Sequence, residues 1–143
     1  MVPNATGPID KICYYWHIMT TGTRRPLFWI GSTRRDLKEF PDDVQDMMGH
    51  ALDIAQQGKK HQDAKPLSGF GGAGVLEIVE DSAGDTYRAV YTVRFEGAVY
   101  ALHAFQKKSK KGIKTPRQEI ELIKSRLKKA EEHYSEWRQK EGP

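Results

Sequence analysis

Apolar residues recur along this chain in three different rhythms. Leu27-Phe28-Trp29-Ile30 is a short unbroken run, suited to a buried strand. Gly31-Ser32-Thr33 ends it and offers a helix N-cap. From Arg34 to Gly58 the apolar positions are Leu37, Phe40, Val44, Met47, Met48, Ala51, Leu52 and Ala55, spaced so that they gather on one helical face. Pro41 interrupts the series. Its fixed φ suits the first turn of a new helix, so the pattern predicts a short helix, then a longer one that stops at Gly58.

The second rhythm is alternation. After a loop over residues 59–74, the pattern predicts a strand over Val75–Glu80, a turn over Asp81–Asp85 and a strand over Thr86–Phe95. Glu96-Gly97 is a tight hairpin signal, and Ala98–Gln106 returns as the partner strand. A two-residue turn there pairs Tyr91 with Leu102, Val93 with Tyr100 and Phe95 with Ala98 on one face, the expected core face. The opposite face then carries Arg88 with Phe105, Val90 with His103, and Arg94 with Val99. It mixes cations, an imidazole and an aromatic ring.

The third rhythm is a seam. Ile120, Ile123, Leu127, Ala130, Tyr134 and Trp137 are spaced 3, 4, 3, 4, 3, as on a helix that packs along one line. Thr115 as N-cap, Pro116 at the first helical position and Gln118 completing a capping box open it. The elements add up to an α+β domain: a small twisted antiparallel sheet with two N-terminal helices and a C-terminal helix packed on it. That domain covers residues 27–137. Residues 1–26 read as an N-terminal appendage punctuated by Gly7-Pro8, Thr20-Thr21-Gly22 and Arg25-Pro26, and 138–143 as a tail. The appendage holds one apolar cluster, Ile12 to Met19, which suits an added strand, a helical fragment or a partner contact.

Composition changes this picture little, but charge does. With 38% hydrophobic residues among 143, the chain has enough apolar content for one modest core. The net charge of +4 is unevenly spread: residues 1–85 carry 9 Lys/Arg against 12 Asp/Glu, and residues 86–143 carry 14 against 7. The basic character belongs to the C-terminal half and suits a polyanionic partner. The single cysteine, Cys13, forms no internal disulfide and reads as a small apolar residue. No apolar run is long enough to span a bilayer, and the first residues lack the plan of a signal peptide, so a cytoplasmic protein without a membrane partner is expected.

The basic excess is densest just past the second hairpin strand. Lys107-Lys108-Ser109-Lys110-Lys111-Gly112-Ile113-Lys114 holds five lysines in eight residues and no acid. Beside Arg88 and His103 these lysines suit contacts to a phosphodiester, while Phe105 or Tyr87 suits stacking on an unpaired base. The plainer alternatives are a solvated lysine loop and a partly buried sheet histidine.

From Arg25 to Tyr134 the chain resembles the phage-derived HigB-like toxins of the RelE/ParE superfamily. The matching stretches are Arg25-Pro26-Leu27-Phe28-Trp29-Ile30-Gly31-Ser32, Ala64-Lys65-Pro66-Leu67 with Gly69, and Tyr87-Arg88-Ala89-Val90-Tyr91. Most specific is Leu102-His103-Ala104-Phe105-Gln106-Lys107-Lys108-Ser109 followed by Lys114-Thr115-Pro116. The resemblance implies a RelE-like fold and the toxin half of a type II toxin–antitoxin pair. Such a toxin cleaves messenger RNA, often on the ribosome, without metal or other cofactor, and is neutralised by an antitoxin with a DNA-binding helix-turn-helix. It assigns Arg88, Lys107 and Lys108 to the transition state of 2′-hydroxyl attack, with His103 as the nearby group titrating close to neutrality. Lys65, Arg94, Phe105, Lys110, Lys111 and Lys114 would then bind RNA. Leu76-Glu77-Ile78-Val79 lacks the arginine that many relatives carry soon after this Leu-Glu. The superfamily also contains gyrase poisons, and a non-catalytic RNA-binding domain would keep the same fold.

Two other motifs lead nowhere. Gly69-Phe70-Gly71-Gly72-Ala73-Gly74 satisfies a dinucleotide fingerprint literally, but it precedes a strand where that site needs a helix. Asp46, His50 and Asp53 share a helical stripe without the spacing of a zinc site.

Overall fold

A computed structural model describes residues 24–71, 74–107 and 115–141. Cys13, the Ile12–Met19 cluster and the lysines Lys108, Lys110, Lys111 and Lys114 lie outside the described residues. The elements are β1 (Leu27–Trp29), α1 (Thr33–Lys38), α2 (Asp42–Gln56), β2 (Lys65–Pro66), β3 (Val75–Ser82), β4 (Asp85–Thr92), β5 (Val99–Lys107) and α3 (Arg117–Glu141). The α+β fold expected from the sequence is the one observed. α3 continues past Trp137 to Glu141, through most of what the sequence read as a tail. No helix among the described residues is long and apolar enough to cross a membrane.

The strands form a five-stranded sheet in the order β1-β5-β4-β3-β2. It is mixed, not wholly antiparallel: β1 runs parallel to β5, with Leu27 opposite Val99 and Trp29 opposite Ala101. A parallel neighbour needs a long crossover, and here everything from α1 to β4 serves as one. Within the predicted 59–74 loop, Lys65 and Pro66 pair with Glu77 and Leu76 as a short edge strand.

Hairpin β3–β4 turns on Ala83 and Gly84, whose φ values of 51° and 88° are the positive pair that a two-residue turn requires. The β4–β5 connection is longer than the sequence predicted. Its Glu96-Gly97 turn is present, closed by the Ala98 N–H on the Phe95 carbonyl at 3.2 Å. The ladder nevertheless ends at Thr92, because the Val93 N–H and the Thr92 hydroxyl both turn to the carbonyl of Gly74, at 3.0 and 2.8 Å. Val93, Arg94 and Phe95 are therefore not ladder partners of Tyr100, Val99 and Ala98 as expected.

Between Thr86–Lys107 and Val90–His103 the register is the predicted one, but it then slips by a residue, so Tyr91 faces Ala101 and Thr92 faces Tyr100. Leu102 is the extra residue of a β-bulge. The bulge breaks strict alternation. Tyr100 and Leu102 pack with Val90, Ile123 and Ala130 under α3, while Tyr91 and Val99 pack with Val44, Met48 and Leu52 of α2. Both sheet faces are thus covered, one by α1 and α2 and the other by α3. Arg88 and His103 are therefore buried rather than on an open outer face, contrary to the sequence expectation, while Phe105 and Lys107 at the end of β5 are only partly buried.

Candidate functional site

On the α3 side of the sheet the register lays residues out in rows. Lys65, Glu77, Val90 and His103 form one row across β2, β3, β4 and β5. Val79, Arg88 and Phe105 form the next, and Asp81, Thr86 and Lys107 the last. Rows on one face lie about 7 Å apart along the strands, and neighbouring strands are about 4.8 Å apart. Lys107 and Arg88 are therefore diagonal neighbours, whereas Lys65 stands three strands from Lys107, roughly 20 Å away when both steps are counted. Arg94 belongs to none of these rows. It sits beyond the opposite end of β4, about 20 Å along the strand direction from Arg88.

Arg88 does not point to solvent. It is 6% exposed, and its Nη1 donates to Glu77 Oε1 at 2.9 Å and to Thr115 Oγ1 at 3.5 Å. The guanidinium lies against Thr115 just ahead of α3, with its charge matched by the Glu77 carboxylate. Thr115, expected as a helix cap, meets Arg88 with its hydroxyl, and the first helical turn closes instead with the Ile120 N–H on the Pro116 carbonyl at 3.0 Å.

His103 is likewise 6% exposed. Its Nε2 lies 2.5 Å from Glu119 Oε1 and its Nδ1 lies 3.2 Å from Arg126 Nη1. A guanidinium only donates, so Nδ1 accepts and the ring proton sits on Nε2, directed at the Glu119 carboxylate. Burial holds the imidazole below its ordinary pKa, the favourable Glu119 contact offsetting part of that shift. The ring stacks on Phe105 with centroids 4.9 Å apart. The partly buried sheet histidine is thus what the structure contains, with both ring nitrogens engaged.

Arg126 ties three segments together. Its Nη1 donates to the Leu102 carbonyl at the bulge (3.0 Å) and to Thr33 Oγ1 (3.2 Å), and its Nη2 donates to Ser32 Oγ (3.2 Å). Ser32 passes its own proton to Asp36 at 2.7 Å rather than capping α1. Gly31 is required beside this guanidinium: its φ is +61°, and a Cβ there would stand 2.9 Å from the Arg126 Nε and Cζ atoms. Burial lowers the Arg126 pKa, with Asp36 and Glu119 opposing.

Of the residues expected to act, the structure brings Arg88, His103, Phe105 and Lys107 onto one face near the start of α3, with Lys65 on the same face at the sheet edge. Arg94 is apart, and four lysines lie outside the described residues. Sequence reasoning missed Glu77, Glu119 and Arg126. The last two flank Ile123 at steps of four and three, so a charged pair astride the apolar seam was the available signal. Among the described residues no group of three or more His, Cys, Asp or Glu side chains is arranged to hold a metal. Asp53 is instead paired with Arg24.

Residues 35–128 match the family described as phage-derived protein Gp49-like (DUF891). The chain belongs to that family. The Gp49-like region begins on α1 and ends within α3, so it takes in the rows of candidate residues and Arg126 but not β1 or the Ser32 and Thr33 partners of that arginine. No curated protein sequence matches the chain. Among solved structures, the crystal structure of the toxin–antitoxin complex RelBE2 from Mycobacterium tuberculosis is similar at 20% identity and a TM-score of 0.38, covering 61% of this chain and 95% of that one.

Proposed function

We propose that this Gp49-like protein is the toxin of a type II toxin–antitoxin pair and that it acts on messenger RNA as an endoribonuclease. The observation that carries this reading is the common placement of Lys107, Phe105 and Arg88 in adjoining rows of one sheet face, beside the start of α3 and next to a lysine-rich segment. Lys107, joined by Lys108, Lys110, Lys111 and Lys114, supplies cations for the phosphates and for the charge that grows as a ribose 2′-hydroxyl attacks. Phe105 offers a ring to an unpaired base. Lys65 contacts the backbone further along the strand. Arg88 and His103 act as supports in this reading: Arg88 fixes Glu77 and Thr115, and His103 fixes Glu119 and the helix that carries it. No step calls for a metal or another cofactor. A small antitoxin with a helix-turn-helix neutralises the protein in the cell.

The test is controlled expression in bacteria with transcript 5′ ends mapped. New ends in phase with codons, lost in Lys107→Ala and suppressed by the antitoxin, are expected; codon phase would also establish action on the ribosome. Arg88→Ala is a poor probe, because it strands Glu77 at a half-buried position. A second reading is favoured by the burial of Arg88 and the engagement of both His103 nitrogens: a toxin that binds a protein target such as gyrase and cuts nothing. Growth arrest with intact transcripts would select it.

A further inference from the structure

A groove of about 430 Å³ runs between the β2–β3 loop and the first two turns of α3. Ser68 and Gly69 form one wall, Arg117, Ile120 and Lys124 the other, and Thr115 closes one end. On α3 these positions fall at steps of three and four, so one stripe of the helix faces the loop. Ile120 is partly buried over the core and gives the groove an apolar floor, while Arg117 and Lys124 stand exposed on either side of it, two helical turns apart. Glu121 adds a carboxylate to the lining. At Gly69 a Cβ would meet nothing within 4 Å, so the backbone is approachable there. Thr115 also accepts from Arg88, the buried cation of the neighbouring sheet face.

We infer that this groove takes one nucleotide of single-stranded RNA and selects its base. The inference rests on the reading of the protein as acting on RNA. The volume lies in the range of small-ligand pockets. An aliphatic floor between two cations suits a planar base flanked by the phosphates on its two sides. The ionised Glu121 is an acceptor only, and it therefore favours a base that presents an exocyclic amino group over one that presents a carbonyl. Adenine, cytosine and guanine each carry such an amino group, whereas uracil has only its ring N3–H to donate and pairs less well. Glu121 is the specificity-determining residue, and the hydroxyls of Ser68 and Thr115 complete the polar edge.

The experiment is titration of the full chain with AMP, CMP and UMP, followed by amide chemical shifts, and then with a twelve-nucleotide single-stranded RNA. Shifts at Ser68, Gly69, Thr115 and residues 117–124 are expected, with AMP and CMP binding roughly three- to ten-fold more tightly than UMP, the effect of one net hydrogen bond. Glu121→Gln, whose amide both donates and accepts, should bring the three nucleotides within about two-fold of one another. Ser68→Trp, an exposed loop substitution that fills the groove, should abolish the shifts while the remaining spectrum stays unchanged. Equal affinities in the native chain, or an unaltered response in Ser68→Trp, would overturn the inference. RNA shifting Lys107 and its neighbours while the groove stays silent would overturn it and leave the toxin reading standing. No response to nucleotides or RNA would overturn both.

Discussion

At the scale of single residues, the guanidinium of Arg126 joins β5, the start of α1 and α3 through four partners. It donates to a backbone carbonyl freed at a bulge, to two hydroxyls of the β1–α1 turn and to an imidazole nitrogen. Arg126→Ala should lower stability by about 2–3 kcal/mol, the scale of hydrogen bonds made by a charged group, as read from the denaturant midpoint. Gly31→Ala should lose at least about 1–2 kcal/mol from its left-handed backbone, with more from its collision with that same guanidinium. The double variant should fall short of the summed losses, since removing Arg126 removes the collision and leaves only the backbone strain. Full additivity would show that the two residues do not meet.

His103 gives a prediction in pH. Its pKa is lowered in the folded chain, so between that value and the unfolded pKa of about 6.5 the unfolded state binds more protons. The stability it contributes is complete above about pH 6.5 and declines as pH falls through the folded pKa. Thermal midpoints measured between pH 8 and 5 should be level at first and then descend. In His103→Gln that descent should be reduced, leaving the losses at lower pH to the carboxylates. An unchanged slope in the variant would assign the descent to other groups.

At the scale of elements, α3 is held chiefly by one line of contacts, and Ile123 is its centre, with no exposed surface. Ile123→Ala should cost about 2–5 kcal/mol by cavity formation, and hydrogen exchange should quicken across α3 and β5 more than in α2. Equal quickening in α2 would mean that the two faces open together. Most of these elements were legible in the sequence, because each is written locally: the α2 stripe, the α3 seam and the Glu96-Gly97 turn need only neighbours to define them. What was illegible is what depends on distant partners. At the bulge the Leu102 carbonyl accepts from Arg126, and beyond it Thr92 and Val93 both bond to Gly74, long-range partners that period-two counting cannot see. The same oversight turned the Arg88 and His103 face outward in the sequence reading, when the α3 seam that covers it had already been found. The parallel pairing of β1 was equally out of reach, since a three-residue strand carries no sign of its neighbour.

At the scale of the whole molecule, the two halves of the chain differ in charge, and the positive half supplies both β5 and α3. Affinity for single-stranded RNA should fall with salt, with a slope of about −0.7 per phosphate neutralised. Lys107→Ala should make that slope shallower by about 0.7, and Arg94→Ala, at the far end of β4, should leave it unaltered. The reverse outcome in a filter-binding series would move the RNA to the opposite end of the strands.

The pairing of β1 with β5 also bears on how the protein is made. Leu27–Trp29 leaves the ribosome long before Val99–Ala101 exists to receive it, and Ser32 and Thr33 wait longer still for Arg126. A nascent chain interrupted before β5 is therefore left with β1 unpaired, and one interrupted before α3 with an uncovered sheet face. Release of such fragments should end in proteolysis, and the protected fold should arrive abruptly, only once α3 has been made.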